Sequence, residues 1–122
     1  MRESIGFAEY DWFRRNQADP KKVWIQTGYR VMLIKKGLEV AGSMNNLGRM
    51  MGYRSKRHPG WGVRQMLYGF QPFSMDRLEM LADIVDEPIE EILSHRQDPK
   101  YFSKERTNKH LRENDLWAYV LR

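Results

Sequence analysis

The sequence contains no cysteine, so disulfide staples, thiolate metal sites and cysteine nucleophiles are excluded together, and the interior must hold by packing. Nor does any apolar run approach the roughly 18–20 residues needed to span a bilayer. The opening Met1-Arg2-Glu3-Ser4 leads into an amphipathic stretch, not the unbroken apolar core of a signal peptide. Both absences point to a cytoplasmic protein with no membrane association. Histidine is scarce as well. His58, His95 and His110 are far apart in sequence and match no metal-binding spacing, so structural or surface roles are expected and no metal site. Gly60-Trp61-Gly62 is too short to cradle a phosphate. The acidic neighbours Asp86, Glu87, Glu90 and Glu91 would need a cleft before one could serve as a general acid or base. No catalytic residue and no cofactor is expected, and the chain reads as a non-enzyme.

What is present suffices for one domain. The chain has 122 residues, 41% of them hydrophobic and 12% aromatic, within the usual domain size of about 100–150 residues. Eight methionines, many at helix-spaced positions, read as gap-filling core. The formal net charge of +5 is modest, but it is unevenly laid out. Residues 1–36 and 37–73 each carry net +4, residues 74–98 carry −6, and residues 99–122 carry +3. Like charges gathered on one surface repel unless a partner relieves them, so this segregation points to a face made for an anion. The alternative is that the acidic helices simply present solvated faces.

Hydrophobic spacing reads as helical throughout. Ile5, Ala8, Trp12 and Phe13 share one side of a helix over about Ser4–Asn16. Asp19-Pro20 is a start signal for a second helix carrying Val23, Thr27, Val31 and Ile34 and stopping near Gly37. Ser43 begins a third, with Leu47, Met50 and Met51 inward and Gly52 at its end. Arg54 to Gly62 forms a basic loop rich in glycine and proline. Val63, Met66 and Leu67 restart the helical pattern up to Gly69. Ser74 caps a helix with Leu78, Leu81 and Val85 inward, and Glu87-Pro88 opens a last short turn. No period-two alternation occurs over this stretch, so an all-α fold is expected. Residues 1–98 form the main domain, and residues 99–122 a C-terminal extension whose end, Leu116–Leu121, is either a helix end or a strand.

Two short helices separated by a turn, followed by a capped helix, is the layout of a helix-turn-helix unit. Leu47-Gly48-Arg49-Met50-Met51-Gly52 has the spacing of a first motif helix written Leu-Ala-x-x-x-Gly. Val63-Arg64-Gln65-Met66-Leu67-Tyr68-Gly69 matches a recognition helix ending Ile-x-x-Ile-x-x-Gly. Ser74, Leu78, Leu81, Ala82, Val85, Pro88, Ile92 and Leu93 follow the pattern beyond it. Over roughly residues 24–94 the chain thus resembles the phage repressor/Cro-like (XRE-type, lambda repressor-like) DNA-binding domains. The resemblance implies a lambda repressor-like helix-turn-helix bundle, here with an extra N-terminal helix and a C-terminal extension, and it puts Gly48 in a small-residue slot where the helices approach. Three features depart from the family: the turn between Gly52 and Val63 is longer, the stretch from Gly37 to Leu47 is longer as well, and the glutamine often found just inside the first motif helix is Met44 here.

Val63, Met66 and Leu67 occupy one side of the recognition helix, which leaves Arg64, Gln65 and Tyr68 pointing elsewhere. Arg offers a bidentate fork to guanine O6/N7 and Gln to adenine N6/N7, so Arg64 and Gln65 either read bases or are solvated helix residues. Arg54, Lys56 and Arg57 in the loop, with Arg49 and Tyr68 from the helices, suit phosphate contacts, the alternative being a basic loop that is simply solvated. Asn45 and Asn46, in the first turn after Ser43, either bond a phosphate beside helix N–H groups or cap locally. Trp61 either packs a sugar or thymine methyl or closes a small core beneath the loop. Trp12, Trp24 and Trp117 read as core or dimer contacts.

The expected function is that of a sequence-specific regulator of double-stranded DNA and, more narrowly, a phage or bacterial repressor. One recognition helix covers few base pairs, so a homodimer is expected, with residues 99–122 and the N-terminal helix as candidate dimerisation segments. The competing expectation is a protein-interaction module, an antitoxin or inhibitor, that holds a basic partner on the acidic residues 76–98. RNA binding by the Arg54–Trp61 loop ranks third, since the aromatic motifs of the common RNA modules are absent.

Overall fold

The computed structural model describes residues 21–98 and 103–122. The helix expected over Ser4–Asn16, with Trp12, and the Asp19-Pro20 start signal lie outside the described residues. The chain runs β1 (Lys22–Ile25), α1 (Thr27–Ala41), α2 (Met44–Met50), α3 (Trp61–Tyr68), β2 (Phe73–Ser74), α4 (Met75–Val85), α5 (Ile89–Leu93), β3 (Arg96–Gln97) and α6 (Lys104–Glu113), and a 3-10 turn at Trp117–Tyr119 follows.

The all-α expectation is overturned by a small antiparallel sheet in the order β2–β1–β3. Val23 pairs with Phe73, and Trp24 and Ile25 pair with Gln97 and Arg96. Residues expected to open a helix are therefore its central strand. The physical reason is burial on both faces: Val23, Trp24 and Ile25 are all in the core, so no alternation marks the strand, and a short apolar run has no distinguishing period. Its partners are two-residue strands far along the chain, and they leave no local signal of their own.

Gly37 does not stop α1. It lies inside the helix, where a Cβ would come within 3.0 Å of Leu47 and 3.1 Å of Leu81, so its bareness lets α1 pack closely on α2 and α4. The stop comes at Gly42, whose left-handed φ of 89° returns its N–H to Leu38 O. Elsewhere the expected caps are in place. Ser43 Oγ accepts from Asn46 N, Ser74 Oγ from Arg77 N, and Gly52 and Gly69 adopt left-handed φ at the ends of α2 and α3. Met50, expected inward, is exposed, while Leu47 and Met51 are fully buried.

The core joins β1, α1, Leu47 and Met51, Val63, Met66 and Leu67, Phe73, Leu78 and Leu81, and Ile92. Residues 103–122 share it. Leu111 is fully buried, Leu116, Tyr119, Val120 and Leu121 pack against the same cluster, and the His110 ring rests on Gly28 so closely that a Cβ there would meet it at 2.9 Å. Asn108 clamps Leu121 from both sides, donating to its O at 2.9 Å and accepting from its N at 2.7 Å. The described C-terminal residues thus complete the hydrophobic core of residues 21–98. Among the described residues, no helix is long and apolar enough to cross a membrane.

Candidate nucleic-acid interface

The connection from α2 to α3 is a docked segment. Pro59 and Gly60 are buried at its far end, and Gly60 N donates to Asn45 Oδ1 at 3.1 Å. Two glycines permit this approach. A Cβ at Gly48 would lie 2.0 Å from Pro59 O, and one at Gly60 would lie 2.7 Å from the Met44 backbone. The small slot at Gly48 therefore admits the backbone of the loop. At the near end Tyr53 N donates to Gly48 O, and the Tyr53 ring lies beneath α3 against Gly62, where a Cβ would meet it at 2.3 Å.

Arg77, from the first turn of α4, binds this corner from behind. Its Nε donates to Met51 O at 3.1 Å and its Nη2 to Gly52 O at 3.4 Å. Its guanidinium stacks 3.6 Å from the Tyr53 ring centroid. A cation on the last carbonyls of a helix satisfies acceptors that have no partner within the helix and complements its dipole.

The far end of α3 is fixed by another arginine. Arg30, only 6% exposed, donates from Nε to Leu67 O at 3.2 Å and from Nη1 to Ile25 O at 3.0 Å. Burial lowers its pKa to about 10, which leaves it charged at neutral pH. Gly69 makes room for it, since a Cβ there would come within 2.8 Å of Arg30 Nη2. One buried guanidinium thus ties the end of α3 to the central strand.

On this frame the expected contact residues take different roles. Arg54, Lys56 and Arg57 are all exposed along the loop, where His58 N closes a turn onto Ser55 Oγ. Arg64 is exposed on α3 and Gln65 half-buried beside it. Trp61 is 60% exposed, so it does not close a core beneath the loop; Tyr53 fills that place. Tyr68, expected at a phosphate, is only 8% exposed and belongs to the core. It is the last residue of α3, its ring lies 5.6 Å from that of Phe70, and burial raises the pKa of its hydroxyl. Asn45 and Asn46 take the local alternative: Asn45 holds Gly60, while Asn46 donates to Ala41 O and accepts from Arg49 Nη1 at 2.7 Å. Arg49 is thereby held at the surface of α2.

Three participants had no signal in the sequence. Arg30 and Arg77 reach α3 and the loop from elements distant along the chain. Tyr119 lies beneath Arg64, whose Cζ is 5.3 Å from the ring centroid. Trp117, two residues earlier in the same 3-10 turn, is 62% exposed.

Most of the acidic residues among 74–98 lie on α4, on α5 and in the turn between them. Asp76, Glu79, Asp83, Glu90 and Glu91 are exposed. Glu87 instead joins a network with α1, accepting from Lys36 Nζ at 2.6 Å and from Tyr29 Oη at 3.0 Å, with His95 stacked 3.7 Å from Tyr29. The Lys36 and Tyr29 hydrogen bonds lower the Glu87 pKa, and burial with the Glu87 bond raises that of Tyr29 to about 12. Comparison with protein-family models, curated proteins and solved structures yields no match.

Proposed function

We propose that the chain is a non-catalytic, sequence-specific regulator of double-stranded DNA, a cytoplasmic repressor acting as a homodimer and reading the major groove with α3. The observation that carries this is the outward side of α3, where Trp61 and Arg64 are exposed and Gln65 half-exposed, continued into a docked loop with three exposed cations. An α-helix with its side chains is about 10–12 Å across, and the major groove of B-DNA is about 12 Å wide. Arg64 and Gln65 then meet base edges, and Arg54, Lys56, Arg57 and Arg49 meet phosphates.

The test is selection of bound sequences from random duplex at two salt concentrations. The expected product is a pseudo-palindrome with half-sites about one helical turn, or a multiple of it, apart. Base reading by α3 is wrong if no sequence is preferred, or if Arg64→Ala with Gln65→Ala leaves the preference unchanged. A second reading, an antitoxin or inhibitor holding a basic protein, is favoured by the exposed acids of α4 and α5. It predicts that a basic protein is retained in stoichiometric amount after nuclease treatment.

A further inference from the structure

Arg64 and Tyr119 are 55 positions apart in sequence, yet the guanidinium lies over the ring at 5.3 Å. The ring is not free to follow it. Tyr119 N donates to Leu116 O at 3.0 Å, Leu116 N donates to Leu111 O at 2.8 Å, and Leu111 is fully buried. On the other side, Val120 N closes the turn onto Trp117 O, and Leu121 is clamped at both backbone atoms by Asn108. The Tyr119 side chain packs against the core. An exposed cation thus lies on a shelf fixed by core and backbone contacts.

An unsupported arginine has many rotamers, and its planar fork recognises a base edge only in one orientation. A ring within cation–π range of the guanidinium removes part of that freedom before binding. We infer that Tyr119 is a positioning residue for Arg64, so that the C-terminal turn, together with α3, sets discrimination at the base pair Arg64 contacts, with a guanine O6/N7 edge as the ligand chemistry. The inference rests on the proposed DNA reading by Arg64 and adds to it a role for a segment outside the helix-turn-helix unit.

The experiment uses the full chain and two duplexes, the selected site and the same site with the guanine at the Arg64 position replaced. The ratio of the two affinities is measured for the unsubstituted protein, Tyr119→Phe, Tyr119→Leu, Arg64→Ala and the Arg64→Ala/Tyr119→Leu double variant. Tyr119→Phe keeps the ring and is expected to keep the ratio. Tyr119→Leu keeps apolar bulk but has no π face, and is expected to lower the ratio about two- to fivefold, the range of an exposed cation–π contact. In the Arg64→Ala background Tyr119→Leu is expected to change nothing further. A second readout is independent of DNA and of the tolerance of the fold: the Arg64 Nε–H proton resonance is shifted by the ring current in the unsubstituted protein and in Tyr119→Phe. If Arg64→Ala abolishes the ratio while Tyr119→Leu preserves it, positioning by Tyr119 is wrong and DNA reading by Arg64 stands. If Arg64→Ala itself leaves the ratio unchanged, DNA reading by Arg64 is wrong, and the inference falls with it. An Arg64 Nε–H resonance without a ring-current shift overturns the inference without touching the DNA reading.

Discussion

Gly48→Ala offers a test in which two physical effects predict opposite signs. Gly48 lies inside α2, and replacing a mid-helix glycine by alanine ordinarily stabilises by about 1 kcal/mol. Here the new methyl would lie 2.0 Å from Pro59 O, 2.4 Å from the Pro59 carbonyl carbon and 2.8 Å from Gly60 N, against a normal non-bonded separation of about 3.5 Å or more. All three obstacles are backbone, so no rotamer change relieves them and the loop must lift off α2. Overpacking of this kind costs about 1–3 kcal/mol, and loss of the Gly60–Asn45 hydrogen bond adds about 1 kcal/mol. With the propensity gain subtracted, the expected net loss is about 2 kcal/mol, a fall in Tm of roughly 6–12 °C for a chain of this size. Thermal unfolding followed by circular dichroism measures it. Gly42→Ala is the comparison: Gly42 has a left-handed φ of 89° and nothing within 4 Å of a new Cβ, so only the backbone term, about 1–2 kcal/mol, applies. A Gly48→Ala protein as stable as the unsubstituted chain, or more so, would refute the docked loop.

Two further outcomes follow from the same geometry. Tyr29→Phe removes the hydrogen bond to Glu87 and should lower stability at pH 8 by about 1 kcal/mol. Because the folded-state pKa of Tyr29 is raised from 10.0 to about 12, its contribution is complete below pH 10 and is lost as pH rises toward 12, so the gap between the two proteins should close over that interval in urea unfolding; a gap that does not change with pH counts against the network. Alanine at any one of Arg54, Lys56 or Arg57 should weaken binding equally for all duplex sequences and reduce the slope of log K against log salt by about 0.9 for each phosphate no longer neutralised. An unaltered slope would remove that residue from the interface.

The helices from Ser43 to Leu93 were readable because each is bounded by a residue whose chemistry acts locally. Ser43 and Ser74 accept N–H groups three residues on, and Gly52 and Gly69 take left-handed φ. The sheet was not readable, since a four-residue strand buried on both faces has neither alternation nor a nearby partner. Gly37 misled for a related reason: a glycine needed for close helix packing and one that ends a helix look alike until the neighbours are known. At the candidate interface, local spacing identified the exposed Arg64 and the loop cations but misplaced Tyr68, for which one helical turn separates solvent from core. The supports of α3 and of the loop before it, namely Arg30, Arg77 and Tyr119, act over long range and have no local pattern.

The docked loop also bears on the thermodynamics of association. Fixing the backbone of a residue costs about 1–2 kcal/mol, so a disordered basic segment that ordered on DNA would take that free energy from its affinity and leave a large negative heat-capacity change. In this chain, the buried Pro59-Gly60, the Asn45 bond and the Tyr53 platform meet that cost during folding. Association of the loop cations with a polyanion should therefore resemble the meeting of two rigid surfaces, driven chiefly by release of counterions and with little change in heat capacity.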